Sequence, residues 1–301
     1  MSDNPLLHQL GYPADARLVV IHADDLGMLH SANQAFLDLH AAGIVRTGSV
    51  MIPCPWSEEI VRLAVANPAL DLGIHLTLNS ERKGIRWRPL TTCDPASGII
   101  DCDGWFWPRP EATIKHMDVA AAVAEMRAQV AWAHRNGLDF THIDAHMGTA
   151  VTGPLFEHYV QLGFEYNVPL LFPRAVDDYT RGLLLGGVDD DTWREAAHAV
   201  EARGMPLVDT FRITPGYDKM GSRGGVIDEY EQVLHALPSG ITYFAIHPNA
   251  PSAELEAADP DHSHWHTVEY DYFQSARARD FLAAEGIISI GMREIRAVMR
   301  G

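Results

Sequence analysis

The sequence predicts an α/β fold: a distorted (β/α) barrel, TIM-barrel-like, with parallel strands inside and helices outside. Three observations predict it. Short apolar runs alternate about eight times with helical patterns, which implies a parallel sheet. The length, 301 residues, lies in the usual range of a single barrel. Four predicted strands end in metal-capable or acid–base residues, at the rim where barrels carry their chemistry. A doubly wound open sheet is the alternative.

RLVVIHA (17–23) is the first strand. SANQAFLDLHAAG (31–43) is an amphipathic helix closed by Gly43, since glycine readily turns left-handed after a last helical turn. IVRTGSVMI (44–52) reads as the second strand and SEEIVRLAVAN (57–67) as its helix, with Ser57 as the N-cap. DLGIHLTL (71–78) is the third strand. Residues 79–113 then interrupt the alternation; the segment is rich in Pro, Gly and Trp, like a lid or binding loop. Helix 114–136, strand DFTHIDAH (139–146), helix 153–164 and strand VPLLF (168–172) follow. Helix 191–203 leads to strand PLVDTFRI (206–213), and helix 226–237 to strand GITYFAIH (240–247). Helix 269–284, strand GIISIG (286–291) and a helix 292–300 close the chain. No repeat or composition shift divides it, so residues 1–301 are expected to form one catalytic domain with a loop insertion at 79–113.

Apolar residues make up 47%, enough for a sizeable core. With 23 basic against 40 acidic residues the formal net charge is −17. Such a surface repels phosphate backbones and anionic lipid, so nucleic acid and membrane are excluded as partners and a neutral or cationic small substrate fits. No signal peptide or membrane-spanning run is legible. Cys54, Cys93 and Cys102 form no CxxC pair, which argues against a disulfide framework and for the cytoplasm. Barrel-rim helices often pair, so a homodimer is one expectation for the assembly.

The stretch RLVVIHADDLGM poses a physical problem. A buried strand runs into two adjacent carboxylates, Asp24 and Asp25, which repel each other and lose hydration. A metal ion would compensate both costs. The third strand carries His75, the fourth His142, Asp144 and His146, and the seventh ends at His247. Each histidine alone could be a hydrogen-bonded core residue, and Asp25 alone a turn residue. Four such groups on one rim form a constellation.

ADDLGM with Asn33, GIHLTL (73–78), THIDAH (141–146) and AIHP (245–248) together resemble the YdjC-like carbohydrate deacetylases, the group of chitooligosaccharide deacetylase. The order and spacing match across nearly the whole chain, through GIISIGMREI. The resemblance implies a distorted (β/α) barrel that removes acetyl groups from N-acetylated sugars with one divalent metal, magnesium or zinc. It implies Asp25, His75 and His146 as metal ligands, Asp24 as catalytic base and His247 as acid. One departure stands out. Family members often continue the fourth motif with further histidines; here Met147, Gly148 and Thr149 follow His146.

The chemistry fits the residue types. Amide hydrolysis needs an activated water, a clamp on the carbonyl oxygen and a proton for the amine. Two imidazoles and a carboxylate leave coordination positions open, and mixed N/O donors suit zinc, cobalt, manganese, iron or magnesium. Asp144, or else His142, could orient a ligand imidazole; His22 reads as structural or as lying one layer below the site. Arg174, Asn79 and Trp87 are the substrate-binding candidates, with Arg212, Trp105 and Trp107 beside them. For the arginines an ion pair, and for the tryptophans loop anchoring, is the competing role. His262, His264 and His266 read as a polar loop, and MGSRGGV (220–226) as a rim segment. A hydrolase of another amide or ester, and a sugar-binding barrel without turnover, are the rival functions. A binuclear phosphoesterase would want H-x-H on the first strand, where this chain has His22-Ala23-Asp24.

Overall fold

The computed structural model describes residues 4–177, 189–213 and 223–301. Seven strands occur among them: β1 (Arg17–Leu26), β2 (Thr47–Val50), β3 (Asp71–Leu76), β4 (Ile143–Ala145), β5 (Thr210–Ile213), β6 (Gly240–Ile246) and β7 (Ile287–Ser289). All pair in parallel, in the order β4-β3-β2-β1-β6-β5, with β7 also on β1. The sheet curls into a half-barrel clothed in helices.

Why β1 reads as an unbroken apolar run follows from its two faces. Val19, Ile21 and Ala23 belong to the large core that also takes in the helices. Leu18 and Val20 point the other way, into a second core with Ile241, Tyr243 and Ile290. A strand buried on both sides has no need to alternate. Leu6 and Leu7 of helix Pro5–Gln9, and Met292 and Ile295 of helix Met292–Arg300, join that inner core at its N-terminal end. β7 pairs with β1 from Arg17 to Val19, whereas β2 pairs with it from His22 upward. On that edge the lower part of β1 is held by β7 and the upper part by β2, while β6 pairs with it on the other edge from Arg17 to Ala23.

The expected strand 168–172 is reduced to a single bridge, Ile143↔Leu170, flanked by two hydrogen bonds of 3.1 Å between Ile143 and Pro169 and Leu171. Pro169 and Pro173 have no N–H to give a ladder, which explains the shortfall. The same segment reaches the approach to β5 through Arg174 N–H to Val208 O, 2.9 Å.

Three helical expectations are corrected. Residues 114–136 divide into Pro110–His116 and Val119–Arg135, because Asp118 takes an extended conformation and caps the second helix through Ala121 N–H. Residues 269–284 divide likewise, into Ser263–Phe273 and Ala276–Ala284, with Ser275 as cap. Ser57 is no N-cap: its hydroxyl donates backwards to Ile52 O at 2.9 Å, and Trp56 holds the cap position. Gly43 does close helix His30–Ala42, with φ 87°. Of the rim segment 220–226, residues 220–222 lie outside the described residues; a helix runs from Arg223 to His235. No helix among the described residues is long and apolar enough to cross a membrane.

The 79–113 loop is folded back on itself. Ile99, Ile100, Phe106 and Trp87 are buried in the large core. Glu125 accepts from Leu90 N–H, Thr91 N–H and the Thr91 hydroxyl at 3.1, 3.0 and 2.6 Å.

Candidate metal centre

Consecutive residues of a regular strand face opposite ways. Asp24 and Asp25 nevertheless both reach the mouth of the half-barrel, because the β1–β2 register shifts between Ala23 and Leu26 and Asp25 has φ 63°. Gly27 continues the turn at φ 86°, and a Cβ there would lie 2.9 Å from Ser57 Cα. Asn33 clamps the bend: its Oδ1 accepts from Gly27 N–H at 2.8 Å, and its Nδ2 donates to Trp56 O and Glu59.

Around that bend three elements converge. Asp25 Oδ1 lies 3.4 Å from His75 Nε2 on β3 and 3.0 Å from His146 Nδ1, just past β4. The three donor atoms fit within 4.8 Å of one another, and all three residues are buried. Asp25 Oδ1 is itself buried and makes no hydrogen bond of good geometry. An orphaned carboxylate oxygen between two imidazole nitrogens is what a divalent cation would satisfy, and a one-oxygen, two-nitrogen set leaves positions open. The residues fit the group.

The outer nitrogens of both imidazoles are held by carboxylates. His75 Nδ1 is 2.9 Å from Asp144 Oδ1, and Asp144 Oδ2 accepts from Ser49 and Tyr243 hydroxyls, each at 2.9 Å. His146 Nε2 is 2.9 Å from Glu81 Oε2. Asp24 Oδ2 stands 4.0 Å from His75 Nε2 and 3.9 Å from His247 Nε2. His247 follows β6, donates its backbone N–H to Glu269 at 2.7 Å and leaves Nδ1 buried without a hydrogen bond. Beside these groups opens a cleft of about 410 Å³. Its lining includes Asp24, His75, His146 and His247 together with the apolar Leu171, Trp193, Phe211 and Ile213.

The YdjC-like protein family model matches residues 18–284. The chain belongs to the YdjC-like family. A carbohydrate deacetylase of Thermus thermophilus is 31% identical to this YdjC-like protein over 271 residues, 89% of each chain. One from Thermoanaerobacter pseudethanolicus is 24% identical over 154 residues, 51% of this chain and 59% of its own length. A crystal structure from Enterococcus faecalis V583, described as a candidate cellobiose-phosphate cleavage protein, matches with a TM-score of 0.73 at 18% identity. It covers 93% of this chain and 99% of that one, and at such identity it speaks for the fold alone.

The electrostatics of this YdjC-like site are those of crowded charge in a dry place. Burial, helped by the Asp144 and Asp25 charges, raises Asp24 to about 7 against the pull of His75 and His247. Burial would raise Asp25 too, but the His146 charge outweighs it and holds that carboxyl well below its usual range. Burial opposes charge on the imidazoles, yet Asp144 keeps His75 well above its ordinary value, and Glu81 and Asp25 bring His146 to about 9. A bound cation would replace those protons.

The other sequence candidates stand elsewhere. Asn79 is fully buried, with Nδ2 donating to Trp107 O at 3.1 Å and Thr113 Oγ1 at 2.9 Å, so it fastens the loop instead of facing the cleft. Trp87 donates its indole N–H to Asn79 O at 2.6 Å and is likewise an anchor. Arg174 is drawn to Glu201 (2.8 Å) and Asp209 (3.5 Å), and Arg212 to Asp177 (2.7 Å). Trp107 stacks on His116, and Trp105 lies under the Arg88 guanidinium at 4.1 Å. His142 reaches His22, not a ligand imidazole. His264 and His266 belong to helix Ser263–Phe273, with His262 at its N-cap, and His266 is buried between His247 O and Asp259. Sequence reasoning missed Glu81, Arg109 and Glu111, of which the last two line the cleft. No period marks a loop residue, so only the fold could single them out. Met147 and Gly148 turn left-handed at φ 52° and 69° and also line the cleft.

Proposed function

We propose that this chain is a metal-dependent hydrolase that removes the N-acetyl group from an acetamido sugar or short oligosaccharide. The observation that carries the reading is the orphaned Asp25 oxygen facing His75 and His146, with Asp24 and His247 on the same cleft. Family membership and the deacetylase names of its relatives support it.

Asp25, His75 and His146 would hold the cation, which when bound supplies electrophilic activation at the carbonyl oxygen and acidity to a nearby water. Magnesium and zinc are the ions we assign to it. Asp144 and Glu81 keep the two imidazoles aimed through their outer nitrogens. Asp24 Oδ2 faces the cleft and takes the proton of the attacking water. His247 Nε2, 3.9 Å from Asp24 Oδ2, gives a proton to the departing amine. Arg109 and Glu111 offer polar contacts for the sugar.

Acetate release from a panel of N-acetylated sugars, run with chelator, with added metals and with Asp24→Asn, tests the reading. Turnover should vanish on chelation and return with metal. A protein that binds these sugars equally well with Asp24→Asn and never releases acetate would be a binding barrel instead. The apolar wall of Leu171, Trp193, Phe211 and Ile213 favours a second reading, hydrolysis of an amide or ester with a larger acyl group. Propionyl and butyryl analogues outperforming acetyl in the same assay would select it.

A further inference from the structure

A column of buried polar side chains runs from Asp24 down the inside of the half-barrel. His22 Nδ1 lies 2.6 Å from Asp24 Oδ1, which leaves Oδ2 for the cleft. His22 Nε2 lies 2.8 Å from His142 Nε2, and His142 Nδ1 lies 2.9 Å from Thr141 Oγ1. The Thr141 hydroxyl contacts Asp71, which also accepts from Thr47 Oγ1 at 3.1 Å and Arg293 N–H at 2.8 Å. His22, His142 and Thr141 are fully buried. We propose that His22 is the positioning residue of Asp24, and that His142 and Thr141 fix the tautomer in which His22 meets it. This rests on the reading of Asp24 as the group that takes a proton in the cleft.

The fold makes room for the column. A Cβ on Gly73 would lie 2.4 Å from the His142 ring, so β3 needs glycine there to seat it. The Tyr243 ring lies 4.7 Å from that of His22 at 30°, while its hydroxyl is tied to Asp144. Burial lowers His22 to about 4 and His142 to about 3, so both rings are neutral at pH 7. His22, His142 and Asp144 also cluster closely enough to suggest an ion. Two nitrogens on a tetrahedral zinc, bonded at about 2.0–2.1 Å, stand about 3.4 Å apart. The 2.8 Å separation is that of a hydrogen bond instead.

A neutral imidazole has one donor nitrogen and one acceptor. Each link holds one proton, so the sense of one link sets the next. If His22 donates through Nδ1 to an ionised Asp24, its Nε2 accepts from His142 Nε2–H, and the single Thr141 hydroxyl proton turns from Asp71 to His142 Nδ1. If Thr141 keeps its proton on Asp71, every role reverses and Asp24 itself carries the proton that meets His22 Nδ1, so only the first sense leaves Asp24 free to take one. Either way the two rings are opposite tautomers.

Ring ¹⁵N NMR of the histidine-labelled, metal-free full chain at pH 9 reads this without substrate. His22 and His142, assigned from His22→Asn and His142→Gln spectra, should show one Nδ1–H and one Nε2–H tautomer. Thr141→Val should shift the His22 ring nitrogens, which it does not touch, and Thr141→Ser should restore them. In kinetics, His22→Ala should lower kcat by about 10–100-fold, with KM moved by no more than about twofold. His22→Asn, which keeps an N–H donor, should recover part of the loss. Rings of the same or averaged tautomer, or an unchanged kcat in His22→Ala, would overturn the proposal. If Thr141→Val does not fold, the wild-type and Thr141→Ser spectra still decide it. A wild type without acetate release sinks the deacetylase reading, while the spectra still decide the column.

Discussion

Asp24 and Asp25 are neighbours in sequence with separate tasks, and substitution should separate them. Asp25→Asn replaces the anionic carboxylate that faces His75 and His146 with a neutral amide and should abolish tight metal binding, read by calorimetry. Asp24→Asn should leave metal affinity nearly intact and lower kcat by about 10²–10⁴-fold, the range of a lost general base. Equal metal affinities in the two variants would show that the ligand set is wrong. Glu81→Gln takes the charge from the partner of His146 Nε2 and should weaken metal binding by about 10–100-fold. Because His146 is held at about 9, it carries a proton in the metal-free protein at neutral pH. Metal titrations in buffers of different ionisation enthalpy should therefore report proton release on binding.

At the scale of elements, the 79–113 loop depends on a polar belt. Arg82 pairs with Asp259, which also holds His262 (3.0 Å) and His266 (3.3 Å), and His266 in turn reaches His247 O. Burial would raise Asp259, but His266 and Arg82 outweigh it and hold the carboxyl well below its usual range. Its folded value lies below its unfolded one, so its contribution is present above about pH 4 and is lost as pH falls further. Asp259→Asn leaves Arg82 with Glu81, 3.2 Å away, as its remaining carboxylate and should cost on the order of 1–2 kcal/mol. Limited proteolysis checks where the loss falls: new cleavage should appear first in the loop. Cleavage elsewhere first would move the attachment point to the Glu125 cluster.

For the whole molecule, the buried histidine pair sets an acid limit. His22 and His142 have folded values of about 4 and about 3, against about 6.5 when unfolded. The unfolded chain therefore takes up protons first, and stability falls as pH drops below about 6.5. Between about pH 6.5 and 5 each ring contributes a loss of about 2 kcal/mol. Asp24, raised to about 7, works the other way and offsets one ring. His75 and His146, with raised folded values, still add about 0.4 kcal/mol each below pH 6.5, until the unfolded rings are fully protonated. The metal-free protein should thus lose on the order of 1 kcal/mol over that interval, measured by urea unfolding at each pH. A flat profile would place water beside the two rings.

The alternation of strand and helix, the helix ended by Gly43, and the strand ends near which Asp25, His75, His146 and His247 sit are all legible in the residue pattern. Those features are local: apolar period, turn chemistry, and a polar group at the end of an apolar run. What such groups touch is a matter of three-dimensional packing. The turn at Asp25 that brings two adjacent carboxylates to one mouth depends on the register against β2. The partner of His22 lies 120 residues away, at the entry to β4. Asn79 and Trp87 became loop anchors because the loop folds back onto its own carbonyls. Glu81 acquired its role from an imidazole 65 residues downstream. A hydrogen bond or a ligand sphere is set by distance in space, and distance between remote segments is fixed only when the sheet has curled.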